Sequence, residues 1–238
     1  MPNHTGNRMT VSGSRGELAR FISAITKKNE DGTTGYRIAS LVPMPKELEG
    51  TQSPTPSSPE PHPNWANLLA TGEITQEWHD ELVASQVRKY EAGQKAKAET
   101  GFYNWYDWAN AVWGTKWGDY DTDLLSDFTA GGEEVTFSYQ TAWSPFSVEF
   151  LAKVSELFPT LTFEVEYEGE GTEYLGRMIA FGGNAHDFYD EPSPEAFPEF
   201  SDDNWDEYEE AMSVLREKVM SRLYTDAMAE LTRMKNLA

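Results

Sequence analysis

The stretch Glu133–Gly171, EEVTFSYQTAWSPFSVEFLAKVSELFPTLTFEVEYEGEG, decides the fold. Glu134–Thr141 alternates, with Val135, Phe137 and Tyr139 on one face and Glu134, Thr136 and Ser138 on the other. A period of two marks a strand with one buried face. Ser144-Pro145 predicts a helix start. The serine hydroxyl can accept from a first-turn N–H, and proline lacks the donor that would go unpaired at the first helical position. Val148, Leu151, Val154, Leu157 and Phe158 form an apolar stripe at helical spacing, and Pro159 stops it. Leu161–Tyr167 alternates again, with Leu161, Phe163, Val165 and Tyr167 inward. Gly169 and Gly171 supply a turn, and Glu173–Phe181 returns as the partner strand.

Working outward, Arg8–Ser12 reads as a strand, and Ser14 with Glu17 as the capping box of a helix carrying Leu18, Phe21, Ile22 and Ile25. Asp31-Gly32 ends that helix unit, and Tyr36–Val42 is a short extended piece before Pro43. Gly50–Asn64 holds five prolines and reads as a linker. A helix from Thr75 to about Ala98 follows, with Trp78, Leu82, Val87 and Tyr90 inward. Asn104–Trp117, NWYDWANAVWGTKW, carries a helical stripe that Gly114 stops, with a strand expected from Thr115. Asp119–Asp127 is acidic, Gly131-Gly132 is a turn, Asp190–Asp203 is a Pro/acid loop, and Trp205 to about Lys235 is a long closing helix.

With the insertion at about 43–101 set aside, the order is strand, helix, strand, strand, helix, strand, strand. That is an α+β, ferredoxin-like βαββαβ pattern with an added edge strand, helices on one face of an antiparallel sheet and a C-terminal helix. The expected organisation is a domain over 1–183 carrying a Pro-rich and helical insertion. The loop and helix of 184–238 then pack on the same domain.

Charge is the other strong signal. The 238 residues carry a formal charge of −21. From Asp119 to Glu210 there are 24 acidic residues against Lys153 and Arg177 alone, a net −22. Such a field repels nucleic-acid phosphate and anionic lipid and attracts basic partners in a salt-dependent way. There is no cysteine, hence no disulfide, thiolate metal site or cysteine nucleophile. The first ten residues lack the pattern of a signal peptide, and no apolar run reaches the ~18 residues of a membrane span. Cytoplasmic residence is expected.

Five separated motifs carry a resemblance. They are Met1-Pro2-Asn3 with Asn7–Gly13; Val42–Leu48; Trp105-Tyr106-Asp107-Trp108 with Trp113–Trp117; Thr141–Pro145; and Tyr167-Glu168-Gly169 with Gly176. In this order, across about residues 1–183, the chain resembles the YubB-like ferredoxin-fold family of phage and conjugative-plasmid proteins. The resemblance implies the fold and a mobile-element origin. It transfers no catalytic residue or cofactor.

Two constellations could carry function. Glu164, Glu166, Glu168 and Glu170 recur every second residue, which on a strand puts them on one face about 6.6–6.8 Å apart. A line of carboxylates at that spacing could imitate phosphates and occupy a partner's basic groove, and an exposed hydrophilic strand face is the plain alternative. Trp105, Trp108, Trp117 and Trp143 either fill a core or flank a planar ligand that Lys116 and Asp107 would orient. His186, Asp187, Asp190 and Glu191 lack a repeated ligand spacing, so no metal site is assigned, and no carboxylate pair stands out as acid and base. The expected function is therefore non-enzymatic. An acidic accessory protein of a phage or mobile element binds a host protein with a basic surface, by nucleic-acid mimicry, in counter-defence or host takeover. It needs no cofactor and touches neither nucleic acid nor membrane. The alternative is a nucleotide-like ligand in the aromatic pocket.

Overall fold

The computed structural model describes residues 3–126, 132–197 and 205–237. Met1-Pro2, Asp127, Gly131 and the 198–203 part of the Pro/acid loop lie outside the described residues. The elements in chain order are β1 (His4–Ser12), α1 (Arg15–Ile25), β2 (Thr26–Lys28), β3 (Thr34–Tyr36), α2 (Pro63–Ala70), α3 (Gln76–Thr100), α4 (Trp105–Val112), β4 (Tyr120–Ser126), β5 (Glu134–Ala142), α5 (Val148–Leu157), β6 (Thr162–Gly169), β7 (Leu175–Phe181), β8 (Asn184–Asp190) and α6 (Trp205–Leu237). The chain divides into two compact units, Met1–Pro43 with Val112–Ala238, and Met44–Ala111.

In the first unit a six-stranded sheet runs β4-β5-β1-β6-β7-β8, with every neighbouring pair antiparallel. β1-α1-β4-β5-α5-β6 is the βαββαβ core of a ferredoxin-like domain, and β7 and β8 extend the sheet past β6. β8 is absent from the sequence reading. It follows a two-residue turn in which Gly182 and Gly183 have φ of 57° and 86°. Positive φ at both central positions is what a tight hairpin turn requires, and glycine adopts it without strain. The small β2–β3 hairpin forms its own two-stranded sheet.

Alternation decides which side chains go inside. Met9, Val11, Phe137, Phe163, Val165, Met178 and Ala180 share one sheet face by register and are buried. They meet Leu18, Phe21 and Ile25 of α1 and Phe150, Leu151 and Val154 of α5. The Phe21 ring lies edge-on to Phe137, Phe158 and Phe163 at 5.4–6.1 Å. Burying each of these large side chains contributes about 1.5–3 kcal/mol, so this layer is the main source of stability. Both helices of the βαββαβ core lie on this face, as expected. The opposite face of β7 and β8 takes α6: Ile179 packs with Ala227, Leu231 and Met234, and Leu175 with Val219 and Leu223.

Three local expectations are corrected. The N-cap of α5 is Ser147, whose Oγ accepts from the Phe150 N–H at 3.1 Å, while Ser144 donates to the Gly114 carbonyl at 2.6 Å. Phe146 stacks on Phe150 at 4.2 Å, which ties down the residues that would have formed the earlier turn. Within the expected extended piece Tyr36–Val42, Ile38–Leu41 is a 3-10 turn, because the Asp119 carboxylate accepts both the Ile38 and the Ala39 N–H. The strand expected from Thr115 begins at Tyr120.

The second unit is helical. Thr75 caps α3 by accepting from the Trp78 N–H at 3.2 Å, and Gly101 ends it with φ of 87°. Trp78 is exposed rather than inward. The proline-rich stretch is fastened within this unit: Gln86 donates to the Ser58 carbonyl at 3.0 Å and Asn104 to Thr55 Oγ1 at 3.0 Å. Proline cannot enter a helix or sheet ladder, but its neighbours' carbonyls and hydroxyls still take side-chain donors.

Candidate functional site

β6 places Glu164, Glu166 and Glu168 on one face, with Phe163, Val165 and Tyr167 buried on the other. Glu170 leaves the strand, in the 3-10 turn Glu170–Thr172, where its carboxylate accepts from the His4 N–H at 3.1 Å. The face is therefore the expected one, but the row is three residues long and is not free. Arg177 lies directly across from Glu166 on β7 and donates to Glu166, and to Glu164 at 3.4 Å. Its guanidinium sits 4.8 Å from the centroid of Tyr224 on α6. Glu168 accepts from Arg216 of α6 at 2.7 Å and from the Thr172 hydroxyl at 2.5 Å. Carboxylates one strand-pair apart repel, and the fold answers with one arginine from β7 and one from α6. Burial pushes the Glu164 carboxyl above the ordinary glutamate range, against the pull of Arg177 and Lys235. β6 thus presents three carboxylates already paired with arginines, of which Glu166 and Glu168 stay partly exposed.

Between this face and α6 lies a groove of about 370 Å³. Gly6 and Arg8 of β1 line one side, Glu166 and Glu168 the floor, and Arg216 and Met220 of α6 the other side. Across it, the Arg216–Glu168 pair ties α6 to β6.

The aromatic set divides. Trp105 and Trp108 are on α4 in the second unit, with Trp108 buried. Trp117, Trp143 and Lys116 come together in the first. The Lys116 ammonium lies 4.5 Å from the Trp117 ring centroid and 4.8 Å from that of Trp143. These two indoles are 39% and 43% exposed. Trp117 also meets Tyr120 edge-on at 6.3 Å, and the Tyr120 hydroxyl is 2.6 Å from His4 Nδ1. Trp143 has a φ of 72°, a left-handed conformation rare for a bulky residue. Its N–H donates to the Asn3 carbonyl at 2.9 Å, and its own carbonyl accepts from the Tyr174 hydroxyl at 2.9 Å. Burial, with the charges of Asp121 and Glu170, raises the Tyr120 phenol above its ordinary value.

His186 and Asp187 are neighbours on β8 and point to opposite faces. His186 meets Glu230 at 2.9 Å, and Asp187 accepts from the Tyr167 hydroxyl at 2.8 and 2.9 Å. Asp190 pairs with Arg222 at 2.5 Å. Among the described residues no group of three or more histidines and carboxylates could hold a metal ion.

Sequence reasoning misses Asp119. Its carboxylate is fully buried and accepts from the Ile38 N–H at 2.9 Å, the Ala39 N–H at 2.8 Å and the Thr122 hydroxyl at 2.7 Å. Arg37 donates to the Asp119 and Trp117 carbonyls, each at 2.6 Å. Nothing in the spacing separates Asp119 from the acids that follow it. It also misses the arginine partners of the glutamate row, since Arg177 and Arg216 reach it only through strand register and the path of α6.

A match to a known family bears on the fold. Residues 112–214 match the model of a family described as the ferredoxin-like domain in Api92-like protein. No curated protein matches the chain. Among solved structures, the crystal structure of a protein api92 from Yersinia pseudotuberculosis aligns with a TM-score of 0.43 and 10% identity, covering 81% of this chain and 100% of that one. Among the described residues, no helix is long and apolar enough to cross a membrane.

Proposed function

We propose that the chain is a non-enzymatic accessory protein of a phage or conjugative plasmid. It binds a host protein in the host cytoplasm, on the basic surface which that partner otherwise offers to nucleic acid, in the service of counter-defence or host takeover. The observation that carries the reading is the concentration of 24 acidic residues against two basic ones between Asp119 and Glu210. Glu164, Glu166 and Glu168 already share two arginines, Arg177 and Arg216. The acids that meet a partner are then exposed ones elsewhere: Asp121 and Asp123 on edge strand β4, Glu134 at the start of β5, and Glu170 and Glu173 in the β6–β7 connection. Like charges left facing solvent cost stability, and a basic partner relieves that repulsion.

The test uses a fluorescent lysine-rich 20-mer and a sequence-nonspecific DNA-binding protein loaded with duplex DNA. The expected result is peptide binding that weakens at least tenfold between 50 and 300 mM salt, with displacement of the DNA. No peptide binding at 50 mM salt refutes the proposal. Peptide binding without displacement refutes the mimicry.

A further inference from the structure

Lys116 is where a ligand would be. Its ammonium lies between two large indoles, within the ~6 Å at which a ring face attracts a cation. Both indoles stay well exposed, so each loses apolar hydration only in part, and the surface is open to replacement of the lysine. The backbone beneath is held in place at a cost. A non-glycine residue at positive φ is strained and persists where its surroundings over-determine it, which is a mark of functional positions. Trp143 is such a residue, fixed by hydrogen bonds on both sides of its peptide unit. Glycine would satisfy that φ freely, yet the position carries the largest aromatic side chain. Beside Trp117 stands Tyr120, edge-on, whose hydroxyl is 2.6 Å from His4 Nδ1, and the Glu170 carboxylate accepts from the His4 N–H at 3.1 Å.

We infer that Trp117 and Trp143 form an aromatic cage for a cationic side chain, a lysine or arginine of a basic partner protein, and that Lys116 occupies it as a placeholder. This rests on the reading of the chain as a binder of basic proteins and locates the anchor of that contact away from the glutamate row. The long flexible stem of Lys116 lets its ammonium swing into water. The partner's cation then takes the same two ring faces, so the cage exchanges like for like. The gain lies in bringing the partner's positive charge to a chain of formal charge −21.

The test uses the ¹⁵N-labelled full chain and its tryptophan indole N–H signals. Those of Trp117 and Trp143 are assigned from W117F and W143F. Tetramethylammonium chloride is titrated against sodium chloride at constant ionic strength. In K116A the two signals move together and saturably, at a concentration about threefold lower than in the parent chain, while the other indoles hold still. K116A is a surface change, and its circular dichroism must match the parent. No saturable movement in K116A, or half-saturation equal to the parent's, overturns the cage. AMP moving the same two signals where tetramethylammonium does not overturns the cationic assignment in favour of a planar ligand. The lysine-rich 20-mer separates this inference from the function it rests on. Equal affinity for the parent and for W117A/W143A overturns the cage and leaves the binding function standing. No affinity for the parent overturns the function, and the tetramethylammonium titration still decides the cage.

Discussion

Replacing Asp119 by alanine is expected to be the most damaging single change outside the apolar core. The carboxylate is fully buried and holds two backbone N–H groups, those of Ile38 and Ala39, at 2.9 and 2.8 Å. A buried donor left unsatisfied costs about 1–3 kcal/mol, so the two together lose roughly 2–6 kcal/mol. Arg37 Nε lies 3.9 Å from the carboxylate and would face a cavity instead of an anion. A loss of about 4 kcal/mol lowers the melting temperature of a chain this size by roughly 8–16 °C. Asp119→Asn keeps one acceptor oxygen but turns an amide donor on the remaining N–H, so its loss falls between wild type and D119A. The assay is thermal unfolding followed by near-ultraviolet circular dichroism, with amide hydrogen exchange as the local readout. Protection at Ile38 and Ala39 should fall in both variants. A D119A melting temperature within about 3 °C of wild type, which corresponds to roughly 1 kcal/mol, would refute the reasoning.

Other perturbations separate the interactions on the two faces of the sheet. Arg177→Ala leaves Glu164 and Glu166 partly exposed beside a nearly buried gap and should cost about 1–3 kcal/mol in urea denaturation. Arg216→Ala breaks a half-exposed pair with Glu168 and should cost at most about 1 kcal/mol; equal losses would show that burial is not the deciding factor. Glu164 holds its proton more tightly folded than unfolded. The native state therefore binds more protons just above the ordinary value of 4.5, and stability falls as pH rises through that window. In E164Q that part of the pH–stability slope should be absent, and an unchanged slope would reassign it to another group. A Cβ on Gly176 would fall inside the Tyr167 ring, so Gly176→Ala should destabilise by about 1–3 kcal/mol, and Tyr167→Ala should recover part of the loss in the double variant. Strict additivity of the two would show that the ring does not rest on the glycine.

Period two and period 3.6 are local properties, and they were enough to read β1, α1, β5, α5, β6 and most of α6 from side chains alone. Ser14 and Glu17 likewise lie within one turn of each other, so the α1 cap was legible. β8 was not. Its partner residues come from β7 through the register Leu175↔Asp190 to Phe181↔Asn184, and its own residues carry no clean alternation. The N-cap of α5 lies three residues beyond the one local spacing predicts, because the choice between Ser144 and Ser147 depends on Phe146 stacking on Phe150.

The candidate site divides in the same way. That Glu164, Glu166 and Glu168 share a face follows from the pleat of a strand and needs no tertiary structure. Whether those charges are available does need it, because Arg177 is 11 residues from Glu166 and Arg216 is 48 from Glu168 along the chain. So too for the aromatic segment: four tryptophans in fourteen residues are evident, but only the fold parts Trp105 and Trp108 from Trp117 and brings Trp143 to Lys116. The sequence by itself determined five of the six elements of the βαββαβ core, all but β4, with the faces of their strands and the excess of negative charge, since these depend on neighbours within a turn or two. The tertiary structure alone decided which charges are paired and which indoles share a cation, because both are set by contacts between residues far apart in the chain.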